Sequence, residues 1–239
     1  MPRDTRLIAV SQRVVPVEGR GEIRDALDQA WTHWLASMGL LCMPVPNALE
    51  DRAGEFLIAT GACGVILSGG NNLALPVYDG APDGRIEDDA FATRDRTEAA
   101  LIRTAMERGL PVLGCCRGTQ FLHAFFGGRL QRLGTEPVRH VARNHAVDLV
   151  ADPIASTPTS CPTPAPLEVN SFHQFGITEG ALPSCLRCVA RSTTDATIEA
   201  FRHQDHPIVG VMWHPERSNP AAAFDRRLAE SLFLATKSC

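Results

Sequence analysis

The residues best suited to chemistry lie in two short segments. Gly114-Cys115-Cys116-Arg117-Gly118 follows an apolar run and precedes a helical pattern. It fits a strand-to-helix elbow of the form G-x-nucleophile-x-G, with cysteine as the nucleophile. Such a turn raises one side chain above a sheet edge, and its glycines let strand and helix backbones pack closely. The helix N-terminus beneath the thiol favours the thiolate. Only Cys116 has glycine two residues away on both sides; around Cys115 those positions hold Leu113 and Arg117. A pair of buried core cysteines is the plain alternative, and the strand-glycine-helix context weighs against it.

A thiol nucleophile needs a base, and the base needs an orienting group. His214 and Glu216 stand in Trp213-His214-Pro215-Glu216, at the end of a strand-like run. Two residues apart in extended chain, they face the same side, at a strand tip of the kind where open α/β sheets place their sites. His33 and His123 fall within helical patterns, and His203 and His206 flank a turn, so they compete less well. Ser68-Gly69-Gly70-Asn71 ends another buried run. The N–H groups of Gly70 and of Arg117 are the expected oxyanion donors, although a plain Gly-Gly turn would look the same.

These segments need a sheet to bring them together. Leu7–Val10, Leu40–Val45, Gly64–Ser68 and Pro111–Cys115 read as strands, alternating with helices expected over Glu22–Met38, Glu50–Ala59, Thr93–Arg108 and Gly118–Phe126. That order implies an α/β fold with a parallel sheet covered by helices on both faces. After Gly128 short strands follow one another at Asn144–Val150, Leu167–Val169, Leu186–Ala190, Thr197–His203 and Ile208–Met212, which predicts an antiparallel extension before a closing helix over Asn219–Thr236. A polar, Gly/Pro/Asp-rich insert runs from Asn71 to about Asp89, and the proline-rich stretch from Asp152 to Pro166 reads as a surface loop.

The bulk numbers agree with a soluble globular chain. It has 239 residues, 44% hydrophobic and 21% charged, with net charge −4. One domain over residues 1–239 is expected, with no attraction to nucleic acid or an anionic membrane. No secretory signal or bilayer-length apolar run is visible, so a cytoplasmic protein with eight reduced cysteines is expected. Cys185-Leu186-Arg187-Cys188 is a single CxxC without a matching second pair, and no metal site is expected. His140 and His145 read as loop and strand-edge residues. No phosphate loop is present, and the chemistry needs no cofactor.

As an ordered set, Leu67-Ser68-Gly69-Gly70, Arg94-Asp95 with Glu98, Gly114 through Gln120, Val169-Asn170-Ser171-Phe172-His173 and Gly210 through Glu216 resemble the class I glutamine amidotransferase-like superfamily, in its γ-glutamyl hydrolase (peptidase C26-like) branch. That branch includes γ-glutamyl-γ-aminobutyrate hydrolases. Ser11-Gln12-Arg13, Glu22 through Asp28 and Pro46-Asn47 are similar to γ-glutamyl-CDP-amidate hydrolases, which serve in making phosphoramidate groups of bacterial surface polysaccharides.

The resemblance implies a flavodoxin-like three-layer sandwich and a cysteine hydrolase that releases glutamate from a γ-glutamyl amide, here γ-glutamyl-CDP-amidate. It implies that Gln120 binds the glutamyl group and that the backbone around Ser171 and Phe172 holds its α-carboxylate. Asn170, His173, Asn71 and Arg94 are further substrate-binding candidates, although Arg94, Asp95 and Glu98 read equally well as a solvated ion-pair network. Arg13, Arg20 and Arg24 could meet a pyrophosphate. The expected partner is thus a small γ-glutamyl substrate, nucleotide-linked in this reading; the oligomeric state is open and a homodimer compatible. The rivals are a glutaminase component feeding ammonia to a separate synthetase, and a silent regulatory module, against which the intact Cys, His and Glu set argues.

Overall fold

The computed structural model describes residues 6–86, 88–133, 141–153 and 166–235. Nine strands form one sheet: β1 (Arg6–Ser11), β2 (Leu40–Val45), β3 (Gly64–Leu67), β4 (Val112–Cys115), β5 (Val141–Leu149), β6 (Leu167–Phe172), β7 (Leu186–Ser192), β8 (Ile198–His203) and β9 (Ile208–Val211). Their spatial order is β6-β5-β7-β8-β9-β4-β3-β1-β2. The strands β2, β1, β3, β4 and β9 are mutually parallel, which is the doubly wound flavodoxin-like order. The strands β8, β7, β5 and β6 extend the sheet antiparallel.

Helices α1 (Gln29–Ala36) and α5 (Ala222–Phe233) pack on one face, and α2 (Ala53–Thr60), α3 (Ala92–Arg108) and α4 (Arg117–Phe125) on the other. The central strands are apolar at every position because both faces are covered. Ile8, Val10, Ile66 and Leu113 join Trp31, Leu35, Leu228 and Phe233 in one buried cluster. Their strand neighbours Ala9, Val65, Leu67 and Val112 join Leu57, Leu101, Phe121 and Leu122 in the other. Each large aliphatic side chain so buried contributes about 1.5–3 kcal/mol.

The N-terminal region departs from the sequence reading. The expected helix over Glu22–Met38 is confined to α1. Glu22–Ala26 instead pairs antiparallel with Arg13–Val17 in a hairpin. The turn carries Gly19 and Gly21, both at positive φ. The Asp28 side chain accepts the Ala30 N–H at 3.0 Å and so fixes where α1 begins. Ile23, within the expected helix, is 67% exposed.

The polar insert contributes a short strand. Tyr78–Asp79 pairs with Leu130–Arg132, which pairs with Phe175–Gly176, in a small second sheet. Most of the proline-rich stretch, and His140, lie outside the described residues. Among the described cysteines Cys42, Cys115, Cys116, Cys185 and Cys188 are free thiols. Cys63 is disulfide-bonded, so the expectation of reduced thiols throughout does not hold for it. Among the described residues no helix is long and apolar enough to cross a membrane.

The elbow depends on one close approach. A Cβ at Gly118 would be driven into the Leu67 carbonyl at the end of β3. That backbone cannot move without carrying Ser68–Gly70 with it. Gly118→Ala should therefore cost about 3 kcal/mol in urea unfolding. Wild-type stability in that variant would mean that α4 and β3 do not pack this way.

Candidate active site

Three strand ends converge: β4 leads into Cys116, β3 into Ser68-Gly69-Gly70, and β9 into Trp213-His214. Cys116 lies at φ 51°, ψ −109°, immediately before α4. This is a strained conformation for a residue with a Cβ. Its N–H donates to the Val211 carbonyl at 2.9 Å, and its own carbonyl accepts the Gln120 N–H at 3.0 Å. The turn is thus hydrogen-bonded to β9 on one side and to α4 on the other. A Cβ at Gly114 would lie 2.6 Å from Leu122 and 3.0 Å from the Gly118 backbone, so both elbow glycines serve close packing. The thiol is recessed rather than standing clear of the sheet, since Cys116 is only 8% exposed.

His214 and Glu216 meet, although not along an extended strand as expected. The strand β9 stops at Val211, and His214–Arg217 forms a turn closed by the Arg217 N–H on the His214 carbonyl, 3.2 Å. The His214 Nδ1 is 2.8 Å from Glu216 Oε1, and the imidazole is close enough to Cys116 for each to shift the other's titration. Asn170 clamps this turn. Its Oδ1 accepts the His214 N–H at 2.8 Å and its Nδ2 donates to the His214 carbonyl at 2.9 Å. Gly69 brings the β3 loop against the imidazole, for a Cβ there would sit 2.6 Å from His214 Cε1.

The charges of this group are coupled. Burial pushes the Cys116 thiol up, but the adjacent His214 imidazole outweighs it, with smaller help from His173 and the Arg117 N–H, and the thiol lies below its ordinary value. Burial opposes the His214 charge, yet the Cys116 thiolate and then Glu216 raise His214 to about 9. Neighbouring Cys115 is fully buried and lacks an imidazole, so burial, reinforced by nearby acids, drives it well above the usual thiol range. A thiolate–imidazolium pair of this kind suits nucleophilic attack on a carbonyl.

Several residues expected at the substrate are occupied elsewhere. Arg94 is fully buried under the β3 loop, with its donors on the loop carbonyls. Asn71 binds the hairpin backbone at Val14 and the Asp89 carboxylate through its side chain. Asn170 is committed to His214, as above. His173 is buried beside Glu199, with Nε2–Oε2 at 3.5 Å. Gln120 donates to the Phe175 carbonyl at 2.8 Å, Ser171 is buried, and Phe172 is 41% exposed with its ring edge-on to His214, centroids 5.4 Å apart. Arg94, Asp95 and Glu98 form a buried network rather than a solvated one.

The sequence reading missed three features. His145, read as a strand-edge residue, lies 3.5 Å from Glu199, which is also beside His173. Burial would raise Glu199, but the two imidazoles hold it well below the carboxylate range. In turn Glu199 outweighs burial at His173 and raises it, with a smaller contribution from Cys116, so a second imidazole–carboxylate pair lies within electrostatic reach of the thiol. Arg217 lies over the Phe172 ring, 4.7 Å from its centroid; its position next to Glu216 was the available signal. Finally, a cleft of about 370 Å³ opens between the hairpin and the turn, lined by Arg13, Trp31, Gly69, Gly70, His214 and Arg217 among others. No local sequence pattern joins those residues.

The charge coupling has a measurable consequence. Cys116, depressed, stays thiolate down to a pH below the ordinary thiol value. His214 loses its proton as pH rises through about 9. Iodoacetamide alkylation of Cys116 should therefore persist below the usual thiol range. In His214→Ala, burial is left with less opposition and the midpoint should move up. An unmoved midpoint in that variant would disprove the ion pair.

The peptidase C26 family profile matches residues 7–216. The γ-glutamyl-CDP-amidate hydrolase of Campylobacter jejuni is 32% identical over 214 residues, covering 89% of this chain and 90% of that one. The γ-glutamyl-γ-aminobutyrate hydrolase of Escherichia coli K12 is 29% identical, covering 90% of this chain and 88% of that one. A solved protein of Thermoplasma acidophilum, described as a component of GMP synthase, shares the fold with TM-score 0.65 at 19% identity, covering 96% of this chain and 92% of that one. A glutamine amidotransferase of Thermotoga maritima shares it with TM-score 0.57 at 18% identity, over 93% and 80%. With a parallel sheet whose strand ends gather a cysteine elbow, a histidine turn and a glycine loop, and with sequence similarity along most of its length, this chain belongs to the peptidase C26 family.

Proposed function

We propose that this protein hydrolyses a γ-glutamyl amide, with Cys116 as nucleophile, His214 as acid and base, and Glu216 as its orienting group. The observation that supports this reading best is the 2.8 Å His214–Glu216 contact beside the Cys116 elbow, with the imidazole lowering the thiol. The thiolate attacks the γ-carbonyl carbon, and the oxyanion forms against the N–H groups of Gly70 and Arg117. The C–N bond breaks as the His214 imidazolium gives its proton to the leaving nitrogen. Water then attacks the thioester, His214 takes its proton, and the C–S bond breaks to free glutamate and the thiolate. Gln120 is assigned to the glutamyl group and the backbone around Ser171 and Phe172 to its α-carboxylate; the Phe172 ring lies edge-on to His214. No step requires a metal or cofactor.

The leaving group departs on the side of His214, where the cleft lies. Its walls carry two guanidinium groups, Arg13 and Arg217, both partly exposed. Of the acids on the same wall, Glu216 is shared between His214 at 2.8 Å and Arg217 at 3.6 Å, and Asp28 caps the start of α1. Arg13 also meets Asp89 at 3.1 Å. This arrangement supports an anionic leaving group, and with the Campylobacter relative it favours γ-glutamyl-CDP-amidate, in cytoplasmic synthesis of polysaccharide phosphoramidate groups. A γ-glutamyl-γ-aminobutyrate substrate also has an anionic leaving group and is the second reading.

Glutamate release should be abolished in Cys116→Ala; full activity in that variant would end the assignment. Among γ-glutamyl substrates the nucleotide amidate should give the highest kcat/KM, then γ-glutamyl-γ-aminobutyrate, then glutamine. Glutamine turnover appearing only with an added partner protein would favour an ammonia-supplying role. Arg217→Met should raise KM for the nucleotide amidate about ten-fold more than for glutamine, as expected for loss of one charged hydrogen bond. Equal effects on both substrates would remove Arg217 from the leaving-group site.

A further inference from the structure

The hydrolase reading uses N–H groups of the β3 loop but does not say what aims them. A glycine-rich segment has no intrinsic preference for one peptide orientation. The Arg94 guanidinium supplies one. Its Nη2 donates to the Ser68 carbonyl at 2.7 Å and to the Gly69 carbonyl at 3.1 Å, and its Nη1 donates to the Gly70 carbonyl at 2.6 Å. Three successive carbonyls are thereby turned toward one buried cation. In a planar trans peptide the N–H points opposite to the C=O. The N–H groups of Gly69, Gly70 and Asn71 are consequently turned away from Arg94, and Gly69 and Gly70 line the cleft beside His214.

We propose that Arg94, held by Glu98, is the positioning residue that orients the oxyanion-binding loop, and that the same buried cluster ties this loop to the second donor at Arg117. Glu98 accepts from Arg94 Nε at 2.9 Å and from the Arg117 side chain. Asp95, one residue after Arg94 on α3, takes the other arm of Arg117 and accepts the Ala74 N–H at 2.8 Å. Ser11 closes the circuit: its hydroxyl donates to Glu98 at 2.8 Å and accepts the Ser68 N–H at 3.0 Å. The ends of β1, β3 and β4 are thus referenced to one turn of α3. Burial lowers Arg94 only to about 10, which leaves it a cation at neutral pH.

The inference rests on the hydrolase reading, and its test separates the two. Steady-state glutamate release and iodoacetamide alkylation of Cys116 are measured side by side, because alkylation forms no oxyanion. In Arg94→Gln, kcat should fall about 100-fold, the loss typical of one misaimed oxyanion donor. The KM and the alkylation rate should stay within about three-fold of wild type. A folded Arg94→Gln enzyme with wild-type kcat would overturn the proposal, as would an alkylation rate that falls in step with kcat. Should that variant not fold, Ser11→Ala removes only the hydroxyl bridge. Its kcat should fall about ten-fold with alkylation retained, and wild-type kcat there would overturn the proposal equally. Glutamate release by the wild-type protein reports on the hydrolase reading; the variant-to-wild-type ratio alone reports on Arg94.

Discussion

The structure depends on keeping a charge pair, Cys116 with His214, where water is nearly excluded. Burying a thiolate alone is unfavourable, and burying an imidazolium alone is also unfavourable. Each is tolerated because the other is in contact, and because Glu216 sits on the far nitrogen of His214. Cys115 shows the opposite case one residue away: the same chemistry, full burial and no imidazole leave an ordinary protonated core thiol. The difference between the two cysteines is one of direction. The elbow turns residue 116 to the carboxyl edge of the sheet and leaves residue 115 within the α1–α5 core.

Direction is in turn imposed by backbone geometry that few residues allow. Cys116 accepts a positive φ because β9 and α4 hold its N–H and carbonyl. Gly114, Gly118 and Gly69 are glycines because a side chain at each would collide with a helix residue, a strand carbonyl or the imidazole itself. Asn170, at the far antiparallel end of the sheet, reaches the His214 backbone with both of its polar atoms. The antiparallel extension therefore does more than widen the sheet. It delivers the clamp that keeps the histidine turn in register with the elbow.

Much of this was legible in the sequence because its signals are local. The elbow is five consecutive residues, the His-x-Glu pair is three, and the alternation of apolar runs with helical spacing set out the order of the parallel strands. What was not legible depended on distance or on competition. The Ile23-Ala26-Leu27 spacing fits a helix, but the Gly19 and Gly21 turn and the Asp28 cap assign Glu22–Ala26 to a hairpin. His145 and Glu199 lie 54 positions apart in chain numbering, and only the pairing of the antiparallel strands brings them together. Arg94, Asn71 and Asn170 were recognised as chemically suited residues, yet the loop after β3, the N-terminal hairpin and the turn after β9 that occupy them come from other parts of the chain, so that occupation was invisible until the chain was folded.

The buried Arg94–Glu98–Arg117–Asp95 cluster is difficult to explain as a source of stability. Desolvating four charged groups costs several kcal/mol per ion, and well-packed apolar side chains of similar volume commonly do as well or better. What apolar side chains lack is direction. A planar guanidinium with donors at fixed angles can hold three neighbouring carbonyls in one orientation, whereas a leucine in its place would leave those glycine peptides free to rotate and their carbonyls unsatisfied. A cluster that is near neutral in net charge and costly in desolvation is reasonable where the return is a fixed backbone orientation. Its location under the loop proposed to present N–H groups to a developing negative charge accords with that return.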